Sequence, residues 1–343
     1  MTSFKSVIFA GTLFLAPALC ATAAAQKTST PPVTGINLES IDYPYPSQSL
    51  ELDGTDDTGR PLVMSYQEVA PTAEASGRTI ILLHGKNFTG DYWGQTARDL
   101  AASGHHVIIP DHIGWGKSSK PMGPFSFQRL GSQTLELMDH LEVETATILG
   151  HSTGGVLATR MALSYPERVE TLILLNPLGL EDYQALTPYR TVEEWEARNL
   201  DMTRDKMKSY MRESYYDGKW SEKFDRSLDV FAAPLKSPDY PRLARISALQ
   251  YDMIYTQPVV QDLDKLEMPT LLLIGTRDRS ALNKDLVSET ERQELGRYDR
   301  LGKQATARIP NSKLVEFPGI GHLPHLEDYE AFIAALQSYL NEP

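Results

Sequence analysis

After residue 48, short runs of consecutive apolar residues recur along the chain, separated by longer stretches of helical spacing. Ser49–Leu52 and Leu62–Tyr66 predict an opening antiparallel pair, with the turn from Asp53 to Pro61 between them. Thr79–Leu83, Val107–Ile109, Thr145–Leu149 and Thr171–Leu175 read as continuous buried strands, and Thr270–Ile274 and Lys313–Phe317 supply two more. A strand without polar alternation is covered on both faces. Helical spacing predicts Asp91–Ser103, ended by Gly104, and Ser126–Leu141, with Leu130, Leu135, Met138 and Leu141 on its apolar side. Val156–Leu163 and Tyr329–Leu340 follow the same pattern. Together these predict an α/β fold, a mostly parallel sheet with helices on both faces. Ligands of such sheets bind beyond the carboxyl ends of the strands.

One region breaks the alternation. From Gly179 to Leu263 the chain is charged, helical and dense in aromatic residues, among them Trp195, Tyr210, Tyr215, Tyr216, Trp220, Phe224, Phe231 and Tyr251. It is expected to form a helical cap whose aromatics partly pack its own core and partly wall a pocket. The expected divisions are 1–25 as a leader, 26–47 as an N-terminal extension, 48–178 and 264–343 as two parts of one core, and 179–263 as the cap.

The first 25 residues have the form of a secretory signal: Lys5, an apolar stretch from Val7 to Leu19, then Ala23-Ala24-Ala25 as a cleavage site. The apolar run falls short of the ~20 residues that span a bilayer. The mature chain is expected to start at Gln26 and to be exported, to a periplasm or the medium, with no stable membrane insertion. The single cysteine, Cys20, leaves with the leader, so no disulfide or thiolate ligand is expected. Gln26–Thr34 is polar and Pro-containing and is expected to be disordered. The net charge of −12 argues against nucleic acid as a partner. No histidine–carboxylate spacing resembles a metal site, and no cofactor is expected.

The chemistry concentrates at Gly150-His151-Ser152-Thr153-Gly154-Gly155, between a predicted strand and a predicted helix. Strand, G-x-S-x-G, helix is the context of a nucleophile elbow, in which a sharp turn lifts the serine hydroxyl clear of the sheet. A serine needs a base to take its proton, and the base needs a third group to orient it. Downstream, Asp278 follows the strand Thr270–Ile274, and His322 lies in Gly319-Ile320-Gly321-His322 after the strand ending at Phe317. Glu181 and Asp182 are reserve acids and His325 is a rival base. His84 and His151 are assigned to shaping backbone turns; His105, His106 and His112 are assigned structural or solvated places. The backbone N–H groups of Thr153 and Lys86, the latter in His84-Gly85-Lys86-Asn87, are the expected oxyanion donors.

With these motifs in order, and with Asp111-His112-Ile113-Gly114-Trp115-Gly116-Lys117-Ser118-Ser119 between them, the chain resembles the α/β-hydrolase family from about Ser49 to its C-terminus. The Asp111 loop is similar to that of capped members such as epoxide hydrolases and meta-cleavage product hydrolases. The resemblance implies that Asp111 is structural. A serine nucleophile sets the chain apart from epoxide hydrolases and haloalkane dehalogenases, which carry aspartate there. His84-Gly85-Lys86-Asn87 departs from the H-G-G-P-G of proline iminopeptidases. Carboxylic ester hydrolysis, on a small molecule with an apolar or aromatic group, is the expected activity. Alternatives are carbon–carbon bond hydrolysis of a dienoate, cofactor-free haloperoxidase or perhydrolase chemistry, and a non-catalytic binding module.

Overall fold

Among the described residues, eight strands form one sheet: β1 (Ser47–Thr55), β2 (Pro61–Val69), β3 (Thr79–Leu83), β4 (His106–Pro110), β5 (Ala146–His151), β6 (Val169–Leu175), β7 (Thr270–Gly275) and β8 (Ser312–Phe317). Their order across the sheet is β1-β2-β4-β3-β5-β6-β7-β8. β2 pairs antiparallel with both β1 and β4, and every other pairing is parallel. The computed structural model describes residues 1–3 and 34–342. Residues 4–33, which hold all of the expected leader after Ser3 and all of the expected disordered stretch before Thr34, lie outside those described.

The continuous apolar strands feed two cores, one on each face. Ile81, Leu83, Ile148, Leu172, Leu174, Leu272 and Ile274 enter one cluster. Their neighbours Ile80, Leu82, Leu149, Ile173, Leu175, Leu271 and Leu273 enter the other. This is the two-residue period of a strand with no solvent face. Each such side chain contributes about 1.5–3 kcal/mol on burial, so the central strands anchor the molecule.

Helices α1 (Gly94–Ala102), α2 (Phe127–His140) and α3 (Thr153–Ser164) fill the early connections. Five helices lie between β6 and β7: α4 (Tyr183–Leu186), α5 (Val192–Leu200), α6 (Arg204–Tyr215), α7 (Asp225–Ala232) and α8 (Tyr240–Thr256). α9 (Glu289–Glu294) and α10 (Tyr298–Arg308) join β7 to β8, and α11 (Pro324–Glu327) and α12 (Tyr329–Leu340) close the chain. α2, α3 and α10 cover one face through Leu137, Leu157 and Leu301; α1 and α12 cover the other through Leu100 and Leu336.

Two sequence expectations shift. The apolar face of α2 is Phe127, Leu130, Thr134, Leu137 and Met138, while Leu135 and Leu141 are only partly buried. Leu137, rather than Leu135, continues the i, i+3, i+4, i+7 stripe that starts at Phe127. The expected helix from Asp91 starts as a 3₁₀ turn, Gly90–Trp93, capped by Thr89, and becomes α-helical only at Gly94.

Candidate active site

β5 runs straight into α3 through Ser152, which takes φ 55°, ψ −119°. A non-glycine residue seldom occupies that region, and it persists only when its surroundings fix it. Ser152 N–H donates to the Leu175 carbonyl at 3.1 Å, and the Ser152 carbonyl accepts from Gly155 and Leu178, both at 3.0 Å. The flanking glycines are obligatory for a steric reason. A Cβ on Gly150 would collide with the Gly154 carbonyl, and one on Gly154 with the Leu83 carbonyl at the end of β3. The turn therefore holds the hydroxyl at the N-terminus of α3, above the carboxyl ends of the central strands.

Loops after β7 and β8 bring the partners. His322 Nε2 stands 3.0 Å from Ser152 Oγ, and its Nδ1 stands 2.6 Å from Asp278 Oδ2. All three residues are buried. Asp278 also accepts from Asn176 Nδ2 at 3.0 Å and from Ser280 N–H at 2.8 Å. Burial pushes the Asp278 carboxyl up, but His322 and the Ser280 hydrogen bonds outweigh it and hold the group below its ordinary range. Asn176, at the end of β6, locks to the end of β7 as well, its Oδ1 accepting from Gly275 N–H at 2.8 Å. Tyr215 of α6 lies over the His322 ring, with centroids 5.0 Å apart and planes 22° from parallel.

The competing residues lie elsewhere. Arg277 pairs with Glu327 and Arg279 reaches Asp299, so Asp278 is not their turn partner. Glu181 accepts from Gly296 N–H, and Asp182 caps α4. His325 stacks on Trp93 at 4.7 Å and makes no contact with the serine hydroxyl among the described hydrogen bonds. Asp111 accepts from the Gly90 and Lys117 amides and from Tyr43 Oη, which makes it a loop organiser.

The expected oxyanion donors border the same cavity as Ser152. The loop after β3 presses on the elbow: a Cβ on Gly85 would come within 3.1 Å of Ser152 Cβ. Neither the Lys86 nor the Thr153 amide has an acceptor among the described residues. A hydrogen-bond chain fixes this loop to the histidine. Gly85 N–H donates to Tyr92 Oη at 3.0 Å, Tyr92 O–H donates to His151 Nδ1 at 2.9 Å, and His151 Nε2–H donates to the His322 carbonyl at 2.9 Å. A carbonyl only accepts, so His151 must carry its proton on Nε2. Burial, with His322 and His325 nearby, holds the His151 imidazole well below the ordinary range, which keeps it neutral. His151 is therefore a connector as well as a turn residue. Neither it nor Tyr92 carries a motif signal for this role, since the chain closes across 59 and 171 residues of sequence.

Above the serine lies a cavity of about 400 Å³. Trp195, Tyr210, Tyr215, Phe231, Tyr240 and Tyr251 line it, while Tyr216, Phe224 and Trp220 pack on one another. The aromatics of 179–263 thus serve both uses. Ile36 and Leu38, from the segment read as an extension, also line the cavity and are buried. Lone apolar residues in a polar stretch gave no sign of that. Lys86 Nζ projects toward α8, donating to Ser247 Oγ at 2.7 Å and sitting 3.6 Å from the centre of the Tyr251 ring. Desolvation pushes this ammonium down to about 7.

The family model for the alpha/beta hydrolase fold matches residues 78–329, and the chain belongs to that family. A solved structure described as a probable hydrolytic enzyme, from Pseudomonas aeruginosa PAO1, is similar with a TM-score of 0.87 and 46% identity, over 91% of this chain and 99% of that one. A protein named carbamate hydrolase RutD, from Azorhizobium caulinodans, is 35% identical over 101 residues, 29% of this chain and 38% of its own length. The 2-hydroxy-6-oxononadienedioate/2-hydroxy-6-oxononatrienedioate hydrolase of Paraburkholderia phymatum is 38% identical over 106 residues, 30% of this chain and 37% of its own length. The chain spans well under half the length of these two curated relatives.

Proposed function

We propose that the chain is an exported carboxylic ester hydrolase in which Ser152, His322 and Asp278 form the catalytic triad. The observation that carries this is the buried hydrogen-bonded line from Asp278 through His322 to Ser152 at the floor of an aromatic cavity. His322 Nε2 takes the Ser152 proton as Oγ attacks the ester carbonyl. The Lys86 and Thr153 amides receive the oxyanion, and a donor of this kind is worth about 10²–10³ in turnover. The protonated His322 then gives its proton to the leaving alkoxide, and an acyl group remains on Ser152. Water, deprotonated by His322, attacks the acyl carbonyl; the acid leaves and Oγ regains the proton. Asp278 stays ionised and orients the ring throughout.

Turnover of p-nitrophenyl butyrate is the first test. Ser152→Ala is expected to lose more than about 10³-fold in kcat, and a fluorophosphonate is expected to label wild type at Ser152 and not the variant. Full activity in the variant would sink the proposal. Export rests on the leader alone, and fractionation of the producing cell with N-terminal sequencing at Gln26 tests it. Hydrolysis of a carbon–carbon bond by the same residues is the alternative, favoured by likeness to the Paraburkholderia phymatum enzyme. Parallel assay of a simple ester and a vinylogous diketo acid separates the two.

A further inference from the structure

Lys86 is an anomaly within the cavity. Its ammonium has three donors, and one is used, on Ser247 Oγ. No carboxylate pairs with it among the described residues, and the acids that line the cavity are already engaged. Asp91 is paired with Arg226, and Asp285 with Arg190 and Arg198. The other lining cations are also satisfied or turned away. Lys120 gives its hydrogen bonds to the Trp115, Gly116 and Ser118 carbonyls, and Lys284 donates to the Arg279 carbonyl.

A lysine held this way is poor scaffolding. A desolvated charge without a counter-ion costs free energy, and an apolar side chain of equal length would sit against Tyr251 without that cost. A second donor faces the same space. Asn87 Nδ2 donates to Tyr215 Oη, and Tyr215 O–H donates to Tyr210 Oη. The Tyr210 proton then has no acceptor among the described residues. Tyr210 borders the cavity and keeps 43% of its surface accessible. The Lys86 ammonium and the Tyr210 hydroxyl therefore both bring unused donors to the cavity.

We propose that Lys86 Nζ, assisted by Tyr210 Oη, binds a free carboxylate on the substrate, so that the chain acts on esters whose molecule bears a second, ionised acid group. The Lys86 amide and its ammonium belong to one residue. The free carboxylate would therefore lie about one lysine side chain away from the carbonyl under attack. Binding supplies the missing counter-charge and draws the depressed lysine back toward its protonated form. The proposal rests on the ester hydrolase reading, and two independent readouts separate them.

The kinetic readout compares mono-p-nitrophenyl glutarate with its neutral methyl ester in wild type, Lys86→Met and Lys86→Arg. Wild type is expected to favour the acid by about tenfold or more in kcat/KM, and Lys86→Met to lower that acid-to-neutral ratio roughly 10–100-fold, the range for a hydrogen bond to a charged group. The change should fall mainly on KM, and Lys86→Arg should recover part of the ratio. If Lys86→Met slows both esters in the same proportion, the side chain serves loop structure or proton transfer and the proposal fails. The binding readout titrates Ser152→Ala with hexanoate and hexanamide by calorimetry. Hexanoate should bind more tightly, and the difference should vanish in Ser152→Ala/Lys86→Met. Equal affinities overturn the carboxylate site whatever the ester assays give. A Lys86-dependent preference for hexanoate, with no ester turned over by wild type, would keep the site and discard the ester reaction.

Discussion

His151 and Tyr92 show how much of the position of His322 is set by residues outside the Asp278–His322–Ser152 line. The Gly85–Tyr92–His151–His322 chain joins the loop after β3, the elbow and the loop after β8 in one line of hydrogen bonds. Tyr92→Phe removes the shared hydroxyl and leaves a buried amide and a buried imidazole nitrogen without partners. Each orphan costs about 1–3 kcal/mol. The variant is expected to melt several degrees lower and to lose kcat more than KM, since the loops shift relative to Ser152; thermal denaturation beside steady-state kinetics checks both. Lys86 gives a pH-dependent counterpart. Its folded value of about 7 lies below the ordinary lysine value of 10.5. Between those limits the unfolded chain holds more protons, so this group's contribution to stability rises with pH, and its penalty is complete below about pH 7. Lys86→Met removes that slope. Its Tm relative to wild type is therefore expected to fall as pH increases from about 6 to about 10; a constant difference across that range would contradict the assignment. Ser152, Asp278 and His322 were legible in sequence because glycines and strand ends frame each of them. Tyr92, Asn176 and the linking role of His151 were not, because hydrogen bonds across distant segments leave no local pattern.

At the scale of elements, the elbow is a joint with no room for a side chain at its glycines. Space at Gly150 and Gly154 is closed by backbone carbonyls, which cannot swing aside as a flexible side chain can. Gly154→Ala must push α3 away from the end of β3 and with it the Ser152 hydroxyl. Overpacking of this kind costs about 1–3 kcal/mol or more, and here it falls on a turn already strained at Ser152. The expected outcome is a large drop in soluble yield, with the soluble fraction failing to react with fluorophosphonate; a stable, fully labelled variant would show that the joint has slack. The central strands were readable because burial on both faces makes each a continuous apolar run. Helices were harder. The stripe of α2 was misphased by reliance on leucines, when Thr134 takes one of the buried places. α9 and α10 were not anticipated between β7 and β8. α9 is short and without a buried residue, so it carries no hydrophobic period. Its capping box, Ser288 with Glu291, was the one local signal that marks it. α10 buries Tyr298, Leu301, Gly302 and Ala305, a face too small and mixed to stand out from the charged residues around it.

At the scale of the whole molecule, the cavity is assembled from segments far apart in sequence, and no single stretch encodes it. The loops after β3, β5 and β8 supply the floor, α5 to α8 supply the aromatic walls, and residues 34–46 run over the Asp111 loop to supply a further wall. Tyr43 Oη donates to Asp111 at 2.8 Å and Tyr45 N–H donates to Gln67 at 3.1 Å, which ties that segment to the sheet. Ile36 and Leu38 are thereby held against the cavity, at 8% and 3% exposure. These two side chains close one side of the cavity, whereas Ser152, His322 and Asp278 lie on other elements. Truncating both to alanine removes apolar wall without touching Ser152, His322 or Asp278. For a fully enclosed residue the loss is about 2–5 kcal/mol, and one cavity-facing side lowers it. Among p-nitrophenyl esters of rising acyl length, the Ile36→Ala/Leu38→Ala variant is expected to shift its kcat/KM optimum to longer chains while keeping fluorophosphonate labelling at wild-type rate. A uniform loss across all lengths would mean that the segment supports the fold around the cavity rather than bounding what enters it.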